Sequence, residues 1–186
     1  NYSSEELNRL LDFHGAFINP YAEKDRAGLV IFFLAKWVEK ILGLSSEILF
    51  RPVFPEKEMQ ALLKKRQRWF LVNRDKVQNL AADQFYESIF GKNHPYGYQV
   101  SENDFEKIGR QQLEDFHKQH YTPGNMAIIV SGKIAGNTFD LLEKLFGDMP
   151  SGTISAESPG LSPDGKSDKK VHVAKPGAVQ TAVRIG

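Results

Sequence analysis

Apolar positions along this chain recur first at helical spacing and then in tight alternating or continuous runs. Ser3 and Glu6 have the spacing of a capping box, and Leu7, Leu10, Leu11 and His14 follow on one helical face. Gly15 ends that helix, because glycine tolerates the left-handed conformation a helix terminus requires. The runs "AFINPYA" and "RAGLVIFFL" are rich in β-branched and aromatic residues and flank the polar turn "EKD", which predicts two neighbouring strands. Trp37 or Val38, Ile41, Leu42, Ser45, Ile48 and Leu49 return at three and four, predicting an amphipathic helix packed on the sheet. "RPVFP" breaks it. Pro55 opens the next helix, with Glu56 and Glu58 in the first turn where the helix dipole favours acids.

That helix runs through "EMQALLKKRQRWFLV", and "KVQNLAADQFYESIFG" forms another, stopped by Gly91. "KNHPYGY" reads as a loop, Asp104 and the stretch from Gln111 to His120 as short helices, and "TPGN" as a turn. "NMAIIVSGKI" predicts a buried strand, and "NTFDLLEKLFG" a capped helix ending at Gly147. Helices and strands alternate without a βαβ rhythm. The expected fold class is therefore α+β, a mixed or antiparallel sheet with helices packed on one face. A Ser/Pro/Gly-rich segment without apolar periodicity follows, and "KVHVAKPGAVQTAVRIG" then resumes strand patterning. The expected organisation is a domain over residues 1–149, a linker over 150–170 and the first strand segment of a second domain over 171–186.

Composition narrows the function classes. The chain has 186 residues, of which 41% are hydrophobic, enough for one full domain with a core. Its 24 basic and 23 acidic side chains give a net charge of +1, so no overall field steers nucleic acid. There are no cysteines, which removes disulfides and thiol chemistry and leaves the compartment open, cytoplasm or periplasm alike. The longest apolar run, Ala27 to Ala35, is too short to span a membrane. The abrupt start at "NYSSEEL" reads like the middle of a larger protein.

Candidate metal chemistry centres on "FHKQHYTPGN". On a helix, His117 and His120 lie on nearly one face, with Glu114 a turn earlier. Two ligands do not make a zinc site, and no second Glu-x-x-His copy supports a di-iron reading. The favoured reading has His120 and Tyr121 packed at a helix end and His117 solvated. His14, His94 and His172 carry no metal-ligand spacing. The basic run Lys64, Lys65, Arg66, Arg68, Arg74 and Lys76 beside Trp69 and Phe70 admits a nucleic-acid reading. A solvated basic face is preferred, and a face for an acidic peptide or partner subunit stays open.

Three segments together resemble one family. "FGKNHPYGYQVSENDFEKIGRQQLEDFHKQHYTPGNMAIIVSGKI" is similar to a segment of the pitrilysin/insulinase peptidases, the inverted zincins that include the mitochondrial processing peptidases. "LLDFHGAFINPYAEKDRAGLVIFF" resembles their helix–Gly–strand–strand segment, and "VFPEKEM" the start of their next long helix. The closing "KPGAVQTAVRIG" looks like the opening strand of their second, homologous domain.

That resemblance implies zinc held by H-x-x-E-H and by a later glutamate. The motif would fall just before Asn1, whereas the distal glutamate should lie on the helix that begins at Pro55. Aligned from its Phe-Pro-Glu start, the ligand position falls on Trp69 and the supporting-glutamate position on Leu62. No acidic residue lies between Glu58 and Asp75, and the neighbours Arg66, Gln67, Arg68 and Phe70 do not compensate. Indole offers a donor and no lone pair for zinc.

The expectation is a degenerate member with no catalytic residues and no metal ligands of its own. It would pair with a homologous catalytic subunit that carries the zinc, help to form the substrate chamber and bind peptides. Neither a nucleic-acid partner nor a membrane span is expected. The alternatives are an active metalloendopeptidase with its motif upstream, and a structural core subunit like those of a respiratory complex.

Overall fold

The computed structural model describes residues 2–134, 136–147 and 170–186. They fall into two compact units, one built from residues 2–54 and 111–147 and the other from 55–110 and 170–186. The fold is α+β, helices with a two-stranded antiparallel sheet, as the pattern predicts.

In the first unit, helix α1 (Ser4–His14) opens on the capping box and closes on Gly15. The Glu6 amide donates to Ser3 Oγ at 3.2 Å, and the Ser3 amide donates to Glu6 Oε2 at 2.8 Å. Gly15 takes φ 59°, which L side chains rarely adopt. Strands β1 (Phe17–Ala22) and β2 (Ala27–Phe32) form a hairpin in which Ile18 faces Ile31 and Phe17 faces Phe32. Ile18 and Ile31 belong to the inner face. They pack against a core of Leu11, Ala16, Ile41 and Leu44, helped by Leu7, Leu10, Phe33, Trp37 and Ile48. Helix α2 (Val38–Phe50) supplies Ile41, Leu44 and Ser45 as its buried face. The Ser45 hydroxyl is satisfied by donating to the Ile41 carbonyl at 2.6 Å.

Helix α5 (Arg110–His120), from residue 111 onward, and α6 (Thr138–Leu142) complete this unit. The predicted capped helix at "NTFDLLEKLFG" is shorter than expected. Asn137 makes no side-chain cap bond, and after Leu142 the chain widens into a π-type turn over Glu143–Gly147. That turn remains anchored, since Phe146 is buried against Phe50 at 5.8 Å and Ser46 Oγ donates to the Leu145 carbonyl.

The second unit holds helix α3 (Glu56–Asn73) and helix α4 (Val77–Phe90). Helix α3 buries Met59 and sets Phe70 against Phe105 at 5.5 Å, while Arg74 reaches Glu102 at 3.5 Å. After Gly91 the "HPYG" loop folds on itself, the rings of His94 and Tyr96 lying against Phe90 at 5.0 and 5.2 Å. Gly97 sits so close to the Gly91 carbonyl that no side chain fits there.

One predicted element does not form. "NMAIIVSGKI" makes no strand and is not buried: Met126 is extended, but Ile129 is 93% exposed, and Ile128 and Ile134 are exposed too. High β-propensity marks a side chain that suits a pleated, half-covered surface, and a strand also needs a neighbour to complete its hydrogen bonds. Among the described residues, β1 and β2 pair only with each other. Residues 170–186 likewise run without ladder pairing, and Val179 and Ile185 are exposed. The predicted linker lies outside the described residues except for its last position, Lys170.

Candidate functional site

The site to test is the middle of α3, where the family resemblance places a metal-binding carboxylate. Leu62 and Trp69 are seven residues apart and share one helix face. That face is open to solvent, with Leu62 55% and Trp69 62% exposed. Phe70, one residue further, turns inward onto Phe105, so the inward packing of α3 holds the indole outward. Neither side chain carries a lone pair suited to zinc, and Lys65 and Arg66 sit between them. The residues present do not fit the metal. Among the described residues, no group of three or more His, Cys, Asp or Glu side chains is placed to hold one.

The histidine pair is brought into packing rather than coordination. His117, expected to be solvated, is half-buried, and its Nε2 lies 2.6 Å from the Leu49 carbonyl. A carbonyl only accepts, so Nε2 carries the proton and satisfies one of the orphan carbonyls ending α2. The ring lies between Phe54, met edge-on at 5.9 Å, and Tyr121, stacked at 4.9 Å. Phe54 itself has φ 41°, an uncommon value for a side-chain-bearing residue, at the "RPVFP" break. Sequence spacing shows which residues share a helix face, but not that α2 ends opposite His117. His120 packs on Phe116 at 4.5 Å.

His14 and His94 are also structural. His14 is buried, donates from Nδ1 to the Leu10 carbonyl at 2.6 Å, and lies between Phe13 and Trp37. His94 accepts from the Tyr96 amide at Nδ1, which leaves the proton on Nε2, a buried atom without a partner. The strongest electrostatic feature is Asp104. Its carboxylate accepts from Lys107 Nζ at 2.8 Å, Tyr98 Oη at 2.7 Å, and the Ser101 amide and hydroxyl, both at 2.8 Å. Those bonds, the lysine's first, hold its pKa far below the usual carboxylate range and raise those of Lys107 and Tyr98. This cluster joins a loop to a short helical turn and holds the loop in place.

Residues 107–186 match the family model described as the peptidase M16 inactive domain. A solved peptidase M16 inactive domain from Pseudomonas fluorescens superposes with a TM-score of 0.76 at 21% identity, over 84% of this chain and 39% of that one. A protease from Helicobacter pylori gives 0.69 at 17% identity, over 88% and 40%. These bear out the resemblance to the pitrilysin/insulinase peptidases of family M16, here to their inactive domain. Among curated proteins, subunit 1 of the mitochondrial cytochrome b-c1 complex of Caenorhabditis elegans is 24% identical over 79% of this chain. Core protein I of the ubiquinol-cytochrome-c reductase complex of Euglena gracilis is 24% identical over 81%. The chain spans 31% of the length of each.

Proposed function

We propose that this chain is an assembly domain without catalysis of its own, which pairs with a homologous catalytic M16 subunit, walls its substrate chamber and helps to hold peptide there. The observation that carries this reading is the outer face of the β1–β2 hairpin. By register, Phe17 and Phe32 are opposite one another, and Val30 and Tyr21 extend the same face. All four are exposed, Phe17 at 66% and Phe32 at 60%. A strand pair that is apolar on both faces is suited to burial within a larger layered structure, and an open sheet edge can add an extended peptide. The face around Leu62 and Trp69, which offers a metal no lone pair, supports the absence of zinc chemistry in this chain, zinc belonging to the active partner.

A second reading, a structural core subunit of a larger complex, is favoured by the names of the curated relatives. No helix of the described residues is long and apolar enough to cross a membrane.

The test uses the chain alone and mixed with a catalytic M16 homologue from the same source. The expected outcome is trace zinc and no cleavage of a reporter peptide by the chain alone, and cleavage by the homologue that rises on mixing. Stoichiometric zinc with cleavage by the lone chain would overturn the proposal. A mixture that leaves cleavage unchanged, with the chain copurifying in a multisubunit complex, would select the second reading.

A further inference from the structure

We draw no further inference here: the strongest candidate, the open pocket between the start of α1 and the side of α2 lined by Tyr2, Lys36, Trp37, Glu39, Lys40 and Glu47, carries nothing, because its lysines and glutamates balance and nothing in the structure shows what covers it.

Discussion

Single side chains in this protein are mostly committed to holding it together, and Asp104 shows how. The carboxylate collects four hydrogen bonds on a side chain only 19% exposed, and all of them favour its ionised form. A carboxyl whose folded pKa lies below its unfolded value contributes stability that is complete above the unfolded pKa, about 3.9, and is lost as pH falls towards the folded value. The Asp104→Asn variant should therefore be less stable than the parent at neutral pH, with the gap closing as pH drops below about 3.9. Urea denaturation of both proteins across a pH series checks this, and a gap independent of pH would refute it. Ser101 and Asp104 have the same spacing signal as Ser3 and Glu6, and both pairs form capping boxes. The contribution of Tyr98 is different in kind. Its hydroxyl reaches Asp104 only because the "HPYG" loop turns back, and residue spacing alone does not carry that information.

At the scale of elements, local rules account for most boundaries. The capping box and Gly15 bound α1, Pro55 stands at the start of α3 and Gly91 at the end of α4, because helix ends are decided by a few adjacent residues. The failures are those of non-local pairing. "NMAIIVSGKI" has the composition of a strand but lacks a partner among the described residues, and His117 turns inward because the end of α2 lies beside it. The "HPYG" loop is the tightest local structure. His94 and Gly97 close its turn, and a Cβ on Gly97 would run into the backbone carbonyl of Gly91, which has little room to yield. Gly97→Ala should cost about 1–3 kcal/mol of stability, as overpacking at a backbone contact does, and chemical denaturation measures it. Stability unchanged from the parent would mean that the loop can open at that point.

Across the whole molecule, the hairpin's exposed aromatic face is the dominant feature. Phe17→Ser with Phe32→Ser should leave the stability of the isolated chain within about 0.5 kcal/mol, because both side chains are already open to solvent. The same pair should abolish co-elution with a homologous M16 subunit in size-exclusion chromatography. Stability lost without any change in association would place these rings in the chain's own packing instead.

By itself the sequence determined the helices, the hairpin, the α+β class, the family resemblance and the want of carboxylates along α3. All of these follow from residue identity and near-neighbour spacing. Tertiary structure decided which apolar segments find cover. It buried Ile41 and Leu44, left Ile129 and Phe17 in solvent, turned His117 from solvent to a carbonyl and aimed Trp69 outward. The physical reason is that burial and ladder pairing depend on chain segments distant in sequence, whereas caps and turns are closed within four residues.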